Sequence, residues 1–362
     1  MTDFLPTPAV VAELDQIEAN IQAIVAANAR YNIAVRPHIK PHKSVYLAQL
    51  ELALGCRGIT CAKLGEAEVM ADHGLTDILI AFPLIGADKM ARLGQLLDRA
   101  DVLTIVNSVE GARQLSALGQ AKGQPVRTLI ELDGGIRRGG IEPLEPAVVF
   151  AKAICGLPGI RIAGLMYYGG TIYSEKSPAG FEKAARLEQA NLTGTARLLE
   201  AIGLEMKILS GGNSFAAKLP QNLAGLTEVR PGNFIFNDCN QLCTGMATEQ
   251  QCALRVVTTV VSVVDSHHAI IDAGSKTLTT DLCAHRPGYG WVVGRSDIQI
   301  SKLNEEHGFI ESTHPLDLAI GDKIAIIPNH ACVIPNLADE IYGIRQGQIE
   351  RMIAIEARGK NR

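Results

Sequence analysis

The chain has 362 residues, 47% of them hydrophobic and 20% charged, with a formal net charge of -4. A weakly acidic balance without a clustered basic face gives little attraction to phosphate backbones or anionic lipid, so neither nucleic acid nor a membrane is expected as a partner. Met1 to Pro6 carry no charged segment leading into an apolar one, and no later run approaches bilayer length, so a cytoplasmic protein is expected.

Ala9 to Leu14 reads as a strand, and Asp15 opens a helical stretch ending near Ala27. Eight short β-branched or apolar runs follow: Ile33 to Val35, Gly58 to Cys61, Asp77 to Phe82, Val102 to Val106, Thr128 to Leu132, Ile160 to Tyr167, Met206 to Leu209 and Leu226 to Val229. Most are joined by segments with i, i+3, i+4 apolar spacing, such as Leu64 to His73 and Ala179 to Ile202, which suit amphipathic helices. Eight strands with crossover helices predict an α/β chain with a (β/α)8 TIM-type barrel over residues 15–247, a doubly wound open sheet being the structural alternative. From Cys252 the strand-like segments follow one another with little helical period, as in Leu254 to Val264, Ile298 to Leu303 and Lys323 to Ile327. A second, mostly antiparallel β domain is therefore expected over 248–362, joined by 1–14, with Arg358 to Arg362 as a frayed tail. The eight cysteines contain no C-x-x-C pair and are expected to be mostly reduced core residues.

A barrel collects its chemistry where the strands end. Strand one leads into Arg36-Pro37-His38-Ile39-Lys40-Pro41-His42-Lys43, a crowd of positive charge of the kind that leaves an amine nucleophilic, with prolines directing the side chains. The competing reading is a solvated basic loop. Strand five ends in Asp133 and a glycine-rich loop holding Arg138, which lacks the G-x-G-x-x-G order of a nucleotide fingerprint. Strand six runs into Tyr167 to Tyr173. Strand seven ends in Ser210-Gly211-Gly212-Asn213-Ser214 and strand eight in Arg230-Pro231-Gly232-Asn233, and the seventh and eighth loops are where barrels commonly hold a phosphate. Either glycine cluster alone could be an ordinary turn. In the second domain, His330 and Cys332 are spaced i, i+2 after a strand, so they share a face and could bite one metal ion; nitrogen plus sulfur favours zinc. A buried cysteine beside an unrelated histidine has the same spacing. His38 with His42, whose neighbouring prolines deny them a helix, His267-His268, which would point to opposite faces of a strand, and His307 make weaker ligand sets, and His307 reads as a turn residue.

Together, His38 to Lys43, Glu131-Leu132-Asp133 with Arg138, Tyr167 to Tyr173, Ser210 to Gly212, Arg230 to Asn233, Asp272 to Lys276 and His330-Ala331-Cys332 resemble the D-serine dehydratase / D-threonine aldolase family. These are metal-activated members of the fold-type III, alanine racemase-like enzymes that use pyridoxal 5'-phosphate. The resemblance implies that Lys40 is the Schiff-base lysine, that Tyr167 or Tyr173 contacts the cofactor and that Arg138 lies beside its ring. It further implies that Asn213, Ser214, Gly232 and Asn233 hold the phosphate, with Ser210, Gly211 and Gly212 also binding the cofactor, and that His330 and Cys332 bind zinc, or else manganese or magnesium. The implied activity is that of a lyase on a β-hydroxy D-amino acid, of dehydratase type, in a homodimer. Retro-aldol cleavage to glycine and an aldehyde is the alternative, followed by racemase or non-catalytic cofactor-binding roles. Gly170 stands where the aldolases usually have a histidine and Cys332 where they tend to have a carboxylate, and both favour the dehydratase branch. Pro41 and Asn107 also depart from the family pattern.

Overall fold

Short runs such as Asp-Ile-Leu-Ile can be buried on both faces only if helices cover the sheet, and this is their arrangement in the computed structural model, which describes residues 5–362. The first four residues of the stretch assigned to the second domain therefore lie outside the described residues. In chain order the elements are β1 (Ala9–Glu13), α1 (Leu14–Ala29), β2 (Ala34–Val35), α2 (Val45–Ala53), β3 (Ile59–Cys61), α3 (Leu64–Asp72), β4 (Asp77–Ile80), α4 (Ala87–Leu96), β5 (Asp101–Val106), α5 (Val109–Lys122), β6 (Val126–Leu132), α6 (Glu145–Ile154), β7 (Ile160–Tyr167), α7 (Pro178–Glu200), β8 (Ile208–Gly211) and β9 (Glu228–Val229). They continue as α8 (Cys239–Cys243), β10 (Leu254–Val263), β11 (His268–Ile271), α9 (Ser275–Leu278), β12 (Trp291–Val292), β13 (Ile298–Leu303), β14 (Gly308–Ser312), β15 (Lys323–Ile327), β16 (Glu340–Arg345) and β17 (Gln348–Ala354). None of the described helices is long and apolar enough to cross a membrane.

The chain divides into two units. One contains Ala23–Lys40, Ala48–Gly232 and Lys360–Arg362. Its eight parallel strands run in the order β2-β9-β8-β7-β6-β5-β4-β3. The ends of that order also meet: Thr60 N donates to Pro37 O (2.7 Å) and Ile39 N to Thr60 O (2.9 Å), which closes the sheet into a barrel. Ile78, Leu79 and Ile80 are all fully buried, and Leu79, Leu103, Ile105, Leu129 and Met166 from successive strands pack together. Local signals set the helices. Ser108 caps α5 by accepting from Gly111 N (3.1 Å), and Gly123 ends it in the left-handed region at φ 68°. Buried Arg36 pairs with buried Glu228 (3.0 Å) and with Asp77 (2.7 Å), which is exposed at the start of β4.

The other unit takes the chain up to Gln22, Pro41–Leu47 and Asn233–Gly359. Its main strand path is β13-β14-β11-β10-β1-β16-β17, with β15 and β12 branching from β10. Pairing is antiparallel throughout except between β1 and β16, where Val11 to Glu13 run beside Tyr342 to Ile344. Leu5, Ala9, Val11, Val257 and Ile344 form one core cluster. Three readings of the sequence need correction. β14 and β17 were not anticipated, because β14 is short and β17 is exposed at all but Ile353, so neither shows an apolar alternation. His267 precedes β11 and turns the chain, its N–H on Asp265 Oδ1 (2.7 Å), so it does not share a strand with His268. The tail is docked, not frayed: in the barrel unit, Gly65 N at the start of α3 donates to Arg362 O (2.8 Å), and Arg92 Nη2 does so as well (3.2 Å).

Candidate active site

The loop after β2 is fixed by backbone bonds on both sides, His38 N to Pro231 O (2.9 Å) and Ile39 N to Thr60 O (2.9 Å). His38 Nδ1 accepts from Lys40 N (3.3 Å), so the histidine holds the backbone that carries the lysine. Half-buried Lys40 places Nζ 6.0 Å from the centre of the Tyr168 ring, and the Arg138 guanidinium lies 4.5 Å from the same centre. The other lysines of the region are engaged elsewhere. Lys43 Nζ donates to Asn336 Oδ1 (3.0 Å), and Lys63 Nζ sits 3.4 Å over the Phe82 ring.

Tyr168 is thus the tyrosine that meets both cations, a residue the sequence reading passed over in favour of Tyr167 and Tyr173. The alternation of a strand explains the difference. Tyr167 ends β7 with its side chain buried, its hydroxyl accepting from Asn191 Nδ2 (3.2 Å), and burial raises its pKa. Its neighbour faces the opposite side. Tyr173 packs edge-on against Phe215 at 5.1 Å and lies 6.5 Å from Tyr168.

At the ends of β8 and β9 most of the expected phosphate loop is already committed to its own scaffold. Gly212 N donates to Glu188 Oε1 (2.8 Å), and a Cβ on Gly212, at φ 62°, would stand 2.4 Å from Val229 Cγ1. Asn213 Oδ1 accepts from Phe215 N (2.9 Å) and Ala216 N (3.2 Å), while its Nδ2 donates to Gly169 O (2.9 Å). The Ser210 hydroxyl donates to Glu228 Oε1 (2.6 Å) and accepts from Arg230 Nη1 (2.6 Å), and Arg230 Nη2 reaches Tyr167 O (2.8 Å). Ser214 is the exception: its Oγ accepts from Gly232 N (3.1 Å), which leaves the hydroxyl proton for an outside acceptor. A hydroxyl on a glycine-rich turn, with lysine, arginine and an aromatic face at neighbouring strand ends, fits a phosphorylated aromatic aldehyde. Beneath this loop Glu188 is fully buried on α7, and burial pushes its carboxyl up to about 7 against the hydrogen bond from Gly212 N. Asn107, one of the departures from the family pattern, donates to Glu131 Oε2 (2.8 Å).

In the other unit the strand-end pair is held from behind. His330 Nδ1 lies 3.0 Å from Asp238 Oδ2, which also accepts from Ala331 N (3.1 Å) and Asn233 Nδ2 (2.5 Å). With Nδ1 held by the carboxylate, Nε2 is the nitrogen left to ligate a metal. The charge on Cys332, within hydrogen-bonding reach, raises the His330 pKa, burial opposes it and Asp238 adds to it. Nitrogen, sulfur and a supporting carboxylate make a donor set that fits a divalent metal of zinc type. Asp238 was invisible in the sequence because it lies 92 residues before its partner. Gln241 Oε1 also accepts from Asn233 Nδ2 (3.2 Å), so that side chain, expected at the phosphate, is tied to α8.

Two family models match the chain: an alanine racemase N-terminal domain over residues 12–239 and a putative serine dehydratase domain over residues 253–344. A D-threonine aldolase of Arthrobacter sp is 30% identical, covering 98% of this chain and 93% of the aldolase. The solved D-threo-3-hydroxyaspartate dehydratase from Delftia sp. HT23 is 29% identical with a TM-score of 0.91, covering 97% of this chain and 98% of the dehydratase. A cysteine-to-alanine mutant of D-threo-3-hydroxyaspartate dehydratase, solved in the metal-free form, superposes equally well at 27% identity, TM-score 0.91, 97% and 98% coverage. With both halves matched in this order, the chain belongs to the D-serine dehydratase / D-threonine aldolase family of fold-type III, pyridoxal 5'-phosphate-dependent enzymes.

Proposed function

We propose that the chain is a lyase, dependent on pyridoxal 5'-phosphate and a divalent metal, that removes water from a β-hydroxy D-amino acid and yields a 2-oxo acid and ammonia. The observation that carries this reading is the Tyr168 ring shared by Lys40 and Arg138 at the strand ends of the barrel. When bound, the cofactor supplies an electron sink for the bond that breaks at Cα. Lys40 Nζ anchors it and then takes the Cα proton, and a single lysine reaching from one side selects one enantiomer. Ser214 donates to the phosphate. His330 and Cys332 would hold the metal, zinc before manganese or magnesium, which would supply Lewis-acid polarisation of the β-hydroxyl.

Gly170 favours elimination over retro-aldol cleavage. A Cβ there would stand 2.9 Å from Ile136 Cδ1 and 3.0 Å from Tyr168 Cε1, so a histidine, which in the aldolase branch deprotonates a hydroxyl, would need the exposed Ile136 side chain to move aside. Incubation with a panel of β-hydroxy D-amino acids, assayed for both 2-oxo acid and aldehyde, tests the reaction. Glycine plus aldehyde without 2-oxo acid would replace the dehydratase reading by the aldolase one, the activity of the Arthrobacter relative. Borohydride should trap the cofactor on the peptide containing Lys40 and on no other, and a Lys40→Ala chain should lose both the adduct and turnover.

A further inference from the structure

Three cysteines outside the proposed active site come together in the β unit. Cys239 and Cys243 begin and end α8, so their spacing puts both side chains on one face, and Cys283 in the loop between α9 and β12 meets them there. The three Sγ atoms lie within 4.8 Å of one another, and the Cys239 and Cys243 sulfurs are 3.6 Å apart. Ligands about 2.3 Å from a tetrahedral zinc ion stand roughly 3.8 Å from one another, whereas a disulfide needs about 2.0 Å. The Cys239 and Cys243 sulfurs lie within hydrogen-bonding reach of each other. Hydrogen bonds from the thiols of Cys239 and Cys243 hold Cys283 far below its ordinary range, and the bond to Cys243 is the largest cause raising Cys239. Buried thiols gain little from such weak bonds, and the arrangement is the one thiolates take around a soft cation.

The charge beside the cluster agrees. The Arg286 guanidinium acts electrostatically on Cys243, packs 4.4 Å over the Trp291 ring and donates Nη2 to Ile298 O (3.0 Å). Its Nη1 is buried without a hydrogen-bond partner among the described residues. Three thiolates around a divalent ion carry one net negative charge, and the half-buried Arg286 guanidinium beside them compensates it.

We propose that Cys239, Cys243 and Cys283 bind a second metal ion, zinc by preference, with water at the fourth position, and that this ion clamps the support of His330. Each metal–sulfur bond replaces an S–H bond or a free thiolate, and the displaced protons leave to water. The mechanical consequence follows from the chain. Cys239 adjoins Asp238, the residue behind His330, and its N–H bonds Pro328 O (3.1 Å). Asn240 Nδ2 bonds Asn329 O (2.7 Å), and Asn329 Nδ2 in turn holds Asp281 O (3.0 Å) and Gly288 O (2.7 Å). The clamp joins α8, the Cys283 loop and the end of β15 at one point.

Metal analysis of the protein purified under reducing conditions tests the assignment independently of the active-site metal. Two equivalents per chain are expected in the unaltered protein, one in Cys332→Ser and one in Cys243→Ser. After cobalt substitution, Cys332→Ser should keep an intense sulfur-to-cobalt absorption that Cys243→Ser has largely lost. Chelation should lower the melting temperature of Cys332→Ser, whose remaining ion is the clamp. If Cys243→Ser fails to fold, titrating the unaltered protein with a mercurial in the presence of a metallochromic dye should still release two ions. A Cys332→Ser protein without metal or sulfur–cobalt absorption would overturn the proposal, as would a Cys239–Cys243 disulfide in anaerobically purified protein. A failed active-site reading would instead show as Cys332→Ser retaining its full metal content.

Discussion

Replacing Asp238 by Asn changes one oxygen to an amide nitrogen and tests how far the metal pair depends on what stands behind it. The carboxylate accepts five hydrogen bonds: from His330 Nδ1 (3.0 Å), Ala331 N (3.1 Å) and Asn233 Nδ2 (2.5 Å) at Oδ2, and from Asn240 N (3.1 Å) and Gln241 N (3.4 Å) at Oδ1. An amide can serve one of these two groups. If its oxygen keeps the cap of α8, its NH2 faces three donors, and the His330 ring must turn its Nδ1 into an acceptor with the proton on Nε2. That tautomer cannot ligate a metal through Nε2. Loss of a carboxylate behind a ligand histidine typically costs 10–100-fold in metal affinity, roughly 1.4–2.7 kcal/mol. Competition against a chelator of known affinity measures the change, with the cofactor spectrum as a control for intact folding. Unchanged metal affinity in a folded Asp238→Asn protein would refute the argument and reduce Asp238 to a helix cap.

Other perturbations follow from the barrel. Glu188, pushed up to about 7 from 4.5, disfavours the folded state progressively as pH rises from the ordinary carboxyl range through 7, a total of about 3 kcal/mol. Glu188→Gln is permanently neutral, so urea midpoints should gain on wild type between pH 5.5 and 8; parallel profiles would remove the carboxyl as their cause. Gly212→Ala places a methyl 2.4 Å from Val229 Cγ1 at a positive φ and should cost about 1–3 kcal/mol and weaken cofactor retention in dialysis, whereas a neutral effect would show that the loop relaxes freely. Arg36→Met strands Glu228, whose side chain is 2% exposed, and a loss of about 3–5 kcal/mol in chemical denaturation is expected; a loss under about 1 kcal/mol would mean that the Ser210 bond suffices for Glu228.

The barrel was readable because most of its strands are short apolar runs followed by a helical period, and polar positions such as Arg161 and Glu228 are too few to break that pattern. The β unit was read less fully. Gln348–Ala354 is a strand by its pairing with β16, and an exposed strand of mixed composition carries no pattern of its own. The same distinction runs through the site. Lys40 and the pair His330 and Cys332 advertise themselves by local spacing, but Tyr168, Asp238 and the meeting of Cys283 with α8 depend on elements far apart in the chain, which no local period encodes. The loop Ser210 to Ser214 shows the converse: a phosphate-like composition whose side chains mostly brace their own turn.

The position of β1 has a bearing on synthesis. It lies between β10 and β16 and pairs with both, yet its register partner Val256 for Val10 is made roughly 240 residues later. At about 5–20 residues per second, a ribosome takes some tens of seconds at the slower rates to reach it. Throughout that interval an apolar strand, Ala9 to Ala12, is outside the tunnel with both edges unpaired, while the barrel folds behind it. A nascent chain stalled before residue 254 should therefore recruit holdase chaperones through the unpaired strand Ala9 to Ala12, and a β unit produced alone from 248 onward should lack its central strand and aggregate unless a peptide spanning Leu5–Glu13 is supplied in trans.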